Sequence, residues 1–270
     1  MLTFNDHAEA PQLGFGVFQI DNDKASAAVA TALEVGYRSI DTAAFYKNEE
    51  GVGDGIRRSG IPRGDLFLTT KLWNGDQGFD AALKAFDASM KKLGTDYLDL
   101  YLIHWPLPKK DRYVESWKAF IQLQNEGRIK SIGVSNFQPD HLQRLIKETG
   151  VVPVVNQIEL HPDFTQRDVV AFNSQHHIVT EAWSPLGQGG ELLKQKTLVD
   201  LGTRYGKSAA QVTLRWHIQR GHMVIPKSEH AERIRENFAI FDFDLGEDEL
   251  QMIDALDAGN RLGPDPDELN

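Results

Sequence analysis

Asp41 and Tyr46 stand five residues apart in the stretch Gly36-Tyr37-Arg38-Ser39-Ile40-Asp41-Thr42-Ala43-Ala44-Phe45-Tyr46-Lys47-Asn48-Glu49-Glu50. It reads as a short buried strand running into a helix that Asn48 caps. Further on, Lys71 and His104 each close a later apolar run. A free phenol titrates near ~10, so at neutral pH Tyr46 is protonated and can serve as an acid. A lysine ammonium close by stabilises the phenolate and brings that pKa toward the working range. Asp41 would keep Lys71 charged and aimed, and His104 would offer a second hydrogen bond to an oxygen gaining negative charge. The four residues together make an acid and an oxyanion site for a carbonyl being reduced to an alcohol. Alone, the Asp41–Tyr46 segment reads equally well as a βα loop whose side chains satisfy local backbone groups.

What must position these residues is a repeated alternation. Strands are predicted at Gly14–Val17, Ser39–Asp41, Leu66–Lys71, Tyr97–Ile103, Ile129–Val134, Val154–Glu159, Ile178–Trp183 and Met223–Ile225. Amphipathic helices fall between them. Asp23–Val35 follows an Asp21-Asn22-Asp23 cap cluster, and Phe79–Leu93 carries Leu83, Phe86, Met90 and Leu93 at helical spacing. Pro139 opens a helix lined by Leu142, Leu145 and Ile146, and Ser208 with Gln211 makes a capping box. The N-terminus reads as a hairpin, with Leu2-Thr3-Phe4 facing Pro11-Gln12-Leu13. Eight strands alternating with helices over 270 residues imply an α/β fold, a (β/α)8 TIM barrel with an N-terminal hairpin and extra helices. No linker or low-complexity tract interrupts it, so 1–270 is expected to be one domain. Chemistry in such a barrel gathers at the strand C-termini. Asp41, Lys71, His104, Ser135-Asn136, Gln157-Glu159, Trp183-Ser184 and Lys227-Ser228 fall at seven consecutive strand ends, from the second to the eighth.

Composition narrows the partners. A net charge of −10 disfavours nucleic acid and anionic membrane surfaces, and a phosphorylated ligand then needs a local basic site. There is no cysteine, hence no disulfide, Cys-ligated zinc or thiol nucleophile. Met1–Ala10 lacks the basic start and apolar core of a signal peptide, and no apolar run approaches the ~20 residues of a membrane span. A cytoplasmic location is expected.

The sequence resembles the aldo-keto reductases along essentially its whole length. The matching stretches are Gly36–Ala43 with Tyr46 and Asn48-Glu49, Thr70-Lys71-Leu72-Trp73, and Asp99-Leu100-Tyr101-Leu102-Ile103-His104-Trp105-Pro106. They continue with Ile132–Phe137, Asn156-Gln157-Ile158-Glu159-Leu160-His161-Pro162, Ile225-Pro226-Lys227-Ser228 and Glu236-Asn237. Together with Ala182–Gly189, they are most similar to bacterial reductases of the 2,5-diketo-D-gluconic acid reductase type. The resemblance implies an NADPH-dependent reductase of aldehydes and ketones, with NADH used more weakly. Asp41, Tyr46, Lys71 and His104 would be its catalytic tetrad and Tyr46 the proton donor. Ser135, Asn136 and Gln157 would hold the nicotinamide carboxamide, and Trp183 would stack on the ring, although a tryptophan there also reads as a core anchor. Further cofactor contacts would come from Gly16, Val17, Asp41, Ser184 and Leu186. A monomer is the family expectation.

For the far end of the cofactor, Lys227 and Ser228 precede a helix whose N-terminus attracts phosphate. Arg233 and Asn237 lie four apart on one face of it, with Glu236 adjacent, and the guanidinium can clamp a 2′-phosphate. Glu229 and Glu232 weigh against that attraction, and the cluster also reads as a solvated helix face. Gly187-Gln188-Gly189-Gly190 either admits a pyrophosphate or is a plain loop. No Gly-x-Gly-x-x-Gly follows a strand, and Gly51-x-Gly53-x-Gly55 lies within a helical segment. The small carbonyl substrate would be walled by Phe18, Phe45, Tyr46, Trp73, His104 and Trp105, although the aromatics also suit helix packing. Lys109, Lys110 and Arg112 near the mouth would attract an anionic substrate, although a basic loop also reads as simply solvated. The short Pro106–Arg112 segment and the compact tail after Arg261 argue against bulky ligands. Two other functions fit parts of the sequence. One is a metal-dependent barrel enzyme on His104, Glu159 and His161, which lacks a full ligand set. The other is a non-catalytic NADPH-binding regulatory protein on the same fold.

Overall fold

The computed structural model describes residues 1–269. Ten strands alternate with ten helices among them. The strands are β1 (Leu2–Thr3), β2 (Glu9–Ala10), β3 (Phe15–Gly16), β4 (Ser39–Asp41), β5 (Phe67–Leu72), β6 (Leu98–Ile103), β7 (Ile129–Ser135), β8 (Val155–Glu159), β9 (Val179–Trp183) and β10 (Met223–Val224). The helices are α1 (Asn22–Val35), α2 (Glu49–Ser59), α3 (Phe79–Leu93), α4 (Tyr113–Asn125), α5 (Pro139–Thr149), α6 (Arg167–Gln175), α7 (Lys196–Tyr205), α8 (Ala209–Gln219), α9 (Ala231–Phe238) and α10 (Glu247–Asp254).

Strands β3 to β10 pair in chain order, every pair parallel. The two ends meet: Leu13 bridges Val224, Gly14 N–H donates to Val224 O at 2.8 Å, and Val224 N–H donates to Gln12 O at 2.9 Å. The sheet therefore closes into the expected eight-stranded barrel. Each of these strands lies within one or two residues of its sequence position.

The hairpin differs in its second arm. Leu2 and Thr3 pair with Ala10 and Glu9, not with Pro11–Leu13. Pro11 has no N–H to donate, and Gln12 and Leu13 are committed to closing the barrel. Phe4 stacks edge-on against Phe67, the first residue of β5, at 6.0 Å, and with Ala10, Leu100 and Leu102 they belong to a small apolar cluster. That cluster plugs the N-terminal end of the barrel and leaves the opposite mouth for ligands.

The helices pack outside on a continuous apolar core. Ser208 and Gln211 form the capping box of α8 at 3.2 and 3.0 Å. Asn48, in contrast, does not cap α2 with its side chain. It is fully buried, accepts the Thr42 hydroxyl at 2.8 Å and donates to the Val17 and Ile20 carbonyls at 2.9 Å each. It thus ties β3 to the loop carrying Tyr46. Nor does Asp21 cap α1 through its side chain. A Cβ on Gly51, Gly53 or Gly55 would collide with carbonyl oxygens of Asn22, Leu93 and Ser26 respectively. The glycine face of α2 therefore serves close packing against α1 and the end of α3.

Candidate active site

The barrel register places the tetrad. Asp41 ends β4, and Lys71 lies in β5 beside it. Tyr46 follows in the 3₁₀ turn Ala44–Tyr46, and His104 comes just past β6. Lys71 is fully buried; its Nζ donates to Asp41 Oδ1 at 2.5 Å, to Thr42 O at 2.9 Å and to Tyr46 Oη at 3.4 Å. The ammonium also lies 5.0 Å from the Tyr46 ring centroid. Burial opposes the Lys71 charge, but Asp41 and the phenol outweigh it, and its pKa stands above the usual lysine value. Burial also pushes the Tyr46 phenol up; Lys71 draws it back, Asp41 adds to the rise, and the result is a raised pKa. This differs from the sequence expectation that the ammonium would bring the phenol toward neutrality. Desolvation is the larger effect, and Tyr46 is held as a protonated acid.

His104 is neutral at pH 7, because burial and then the Lys71 charge hold its pKa well below the usual histidine value. Its Nδ1 is buried with no partner. An unpaired buried N–H costs more than an unpaired lone pair, which favours the Nε2–H tautomer. The imidazole meets the Tyr46 ring edge-on at 5.7 Å and Trp73 at 5.4 Å. Phe45 stacks on Trp73 at 3.9 Å.

A cavity of about 1330 Å³ opens at this mouth. Asp41, Tyr46 and His104 line one end of it, with Phe18, Phe45, Trp73 and Trp105 as aromatic walls. Gly16, Ser135, Asn136, Gln157, Trp183 and Ser184 line its floor. Leu186, Gln188 and Gly189 border it where Gly187, Gln188 and Gly189 all take positive φ. Lys227, Ser228, Arg233, Glu236 and Asn237 surround the far end. Lys71 lies beneath the floor. Val17 is not brought to the cavity: it is fully buried in the core, and its carbonyl serves Asn48. Lys109, Lys110 and Arg112 do not line it either, and Arg112 lies against Gly78.

The interior bonds at the floor restrict what a nicotinamide would meet. Both Asn136 amide hydrogens are engaged, by His104 O and Ser135 Oγ at 3.0 Å each, and its oxygen accepts the Trp183 indole N–H at 2.8 Å. Ser135 donates to Gln157 O at 2.9 Å. Gln157 Nε2 donates to Asp41 Oδ2 at 2.9 Å and to Glu181 Oε2 at 2.8 Å, which leaves its Oε1 as the open acceptor. A carboxamide would therefore find Gln157 Oε1 open as an acceptor, and would reach Ser135 or Asn136 only after one interior bond re-pairs. At the far end, Arg233 has no ion-pair partner among the described residues, whereas Glu229 is paired with Lys24 at 3.6 Å and Lys227 at 3.5 Å. Those pairs offset the acidic neighbour that weighs against phosphate. The long cavity, the shaped floor and the unpaired guanidinium fit a phosphorylated dinucleotide.

Two parts of the site are not in the sequence reading. The tail residues Leu262, Gly263, Pro264 and Leu269 line the cavity. Glu159 pins the tail, accepting from Leu262 N–H at 2.6 Å and Gly263 N–H at 2.8 Å. His161 lies between Glu159 at 2.9 Å and Asp163 at 2.6 Å. Two donors of the metal reading, Glu159 and His161, are thus engaged with each other, with Asp163 and with the tail, away from His104, and no group of three potential ligands converges among the described residues. The second part is Glu181, in the middle of β9. Its signal is the strand period: Glu181 is two residues before Trp183 and shares its face.

The sequence model of the Aldo/keto reductase family matches residues 12–258. Methylglyoxal reductase DkgA of Escherichia coli (strain K12) is 56% identical over 270 residues, covering 100% of this chain and 98% of that protein. The crystal structure of an aldo/keto reductase from Brucella melitensis superposes with a TM-score of 0.92 at 59% identity, covering 95% of this chain and 98% of that one. A point mutant of Gox0644, crystallised in complex with NADPH, superposes with a TM-score of 0.96 at 47% identity, covering 100% of this chain and 98% of that one.

Proposed function

This chain belongs to the aldo/keto reductase family and is an NADP-dependent oxidoreductase, and from that premise we propose that it reduces small aldehydes and ketones with Tyr46 as proton donor. The observation that carries the reading is the buried line Asp41–Lys71–Tyr46, with bonds of 2.5 and 3.4 Å, facing a neutral His104 across the end of the cavity. When bound, NADPH supplies the hydride. Ser135, Asn136 and Gln157 orient the carboxamide, Trp183 backs the ring, and Lys227, Ser228, Arg233 and Asn237 hold the 2′-phosphate end, which makes NADPH preferred over NADH. Tyr46 donates its proton to the carbonyl oxygen, and His104 Nε2–H shares the developing charge. Lys71 then stabilises the phenolate, and the aromatic walls exclude water.

Small dicarbonyls such as methylglyoxal suit the half-exposed apolar walls, Phe18 and Phe45, and keto or diketo sugar acids such as 2,5-diketo-D-gluconate are the second class to test. The chain is read as a single domain, a monomer and cytoplasmic; no helix among the described residues is long and apolar enough to cross a membrane.

The test is NADPH consumption against a panel of such carbonyls. Tyr46→Phe should lose about 10²–10⁴-fold in kcat while NADPH affinity barely changes. A variant that retains wild-type turnover would remove Tyr46 from the reaction.

A further inference from the structure

Beneath the cavity floor lies a second carboxyl group that the reaction above does not use. Glu181 is 2% exposed, and its Oε2 accepts from Gln157 Nε2 at 2.8 Å. The same nitrogen gives its other hydrogen to Asp41 Oδ2 at 2.9 Å. Asp41 Oδ1 accepts from Lys71 at 2.5 Å, and Lys71 reaches the Tyr46 oxygen at 3.4 Å. A continuous line of hydrogen bonds thus joins Glu181 to the phenol. The charges that act on Glu181 are Asp41 from β4 and Lys71 from β5, and Tyr46 feels it in turn. Strand β8 supplies only the neutral Gln157, and the register neighbour on β10 is Met223.

We propose that Glu181 is a positioning residue for the reduction, resting on the function proposed above: it turns the Gln157 oxygen toward the cofactor cavity, and its protonation state tunes the Tyr46 phenol. The amide has two hydrogens and both go to carboxyl groups, so only its oxygen remains to face the cavity. Charge supplies the second half. One ammonium serves two buried carboxyls, and the set is neutral only when one of them is protonated. Asp41 has the direct bond to Lys71, whereas Glu181 has only a neutral amide, so the proton belongs on Glu181. Burial, then the Asp41 charge, push the Glu181 pKa up to about 7, against the Gln157 bond and the more distant Lys71. Once ionised, Glu181 joins Asp41 in opposing the phenolate and raises the Tyr46 pKa. Above neutrality the enzyme therefore holds Tyr46 more firmly as an acid. That favours carbonyl reduction and suppresses alcohol oxidation, which needs the phenolate as base.

Glu181→Gln keeps an oxygen for Gln157 to donate to and removes the charge. In this variant the alkaline limb of kcat/KM for methylglyoxal reduction, and the rising limb for alcohol oxidation, should both move down by about 0.5 pH unit. That is roughly a threefold gain in oxidation at a fixed pH below the limb. Glu181→Leu should show the same shift and also bind NADPH several-fold more weakly in a fluorescence titration, because Gln157 is released. Lower Tm in both variants with unmoved limbs would assign Glu181 a structural role only and overturn the proposal. Infrared titration of the wild type reads the proton without any variant: a protonated-carboxyl band should be present at about pH 6 and gone by about pH 8, and its absence throughout would equally overturn it. Loss of carbonyl turnover in the wild type would remove both readings, whereas unshifted limbs in an active Glu181→Gln enzyme remove this one alone.

Discussion

At Arg233 the cavity ends in a guanidinium with no hydrogen-bond or ion-pair partner among the described residues, on a helix whose neighbouring Glu229 is already paired. A cation left unpaired beside Lys227, Ser228 and the buried Asn237 is suited to a phosphate rather than to the protein. Arg233→Ala should raise the KM for NADPH about tenfold or more, the worth of one charge-assisted hydrogen bond, and leave the KM for NADH nearly unchanged. Equal effects on both nucleotides in steady-state assays would dismiss its 2′-phosphate role. Residue chemistry was legible here because charged and aromatic types at strand ends have few structural reasons to be there. Asp41, Tyr46, Lys71 and His104 could be grouped from residue type together with their places in or beside successive predicted strand ends. The direction of the Tyr46 shift could not, because desolvation sums over every element that covers the ring, whereas a sequence displays only candidate charges.

Among the elements, the strands and the capped helices were readable because hydrophobic period and cap chemistry are local. Asn48 shows where local logic stops. It occupies the N-cap position of α2, yet Val17 and Ile20 after β3 and Thr42 after β4 compete successfully with the orphan helix N–H groups. The tail shows the other limit, since it has no periodicity and its position is set by a carboxylate a hundred residues away. That carboxylate, Glu159, holds Gly263 flat against Trp183, where an added Cβ would sit 2.5 Å from the indole Cη2. Gly263→Ala must therefore move either the tail or the indole that backs the proposed nicotinamide position. The expected outcome is a several-fold rise in the KM for NADPH or for the carbonyl, with Tm lowered by no more than a few degrees, since the tail adds little to the core. Unchanged kinetics at unchanged Tm would show that the tail does not shape the site.

Over the whole molecule, the interior holds ionisable groups whose displaced pKa values make stability depend on pH in opposite senses. His104 and His217 are held well below the usual histidine value, chiefly by burial, and burial lowers His222 to about 4. Below about 6.5 the unfolded chain binds protons that these folded histidines refuse, so stability falls as the pH drops toward the folded pKa values. Glu181 has the reverse sign: its raised pKa removes stability as the pH rises from its unfolded value toward about 7. These three histidines, with His141 lowered in the same direction by burial, outweigh the one glutamate and leave acid as the weaker side, although protonation also relieves the self-repulsion of a chain carrying a net charge of −10. His222 isolates the effect, because it lies away from the cavity, with its Nδ1 3.3 Å from that of His217 behind the Pro185 carbonyl that His217 Nε2–H reaches at 3.2 Å. From about pH 7 to about pH 5 it should cost the fold roughly 2 kcal/mol, or about 4–8 °C in Tm. His222→Asn loses packing and lowers Tm at pH 7, but it removes that titration, so its Tm should fall less steeply between the two pH values by about the same 4–8 °C. Thermal melts followed by circular dichroism across that window decide it: parallel Tm–pH lines for the two proteins would mean that His222 is charged or solvated in the fold, contrary to its place between α8 and β10.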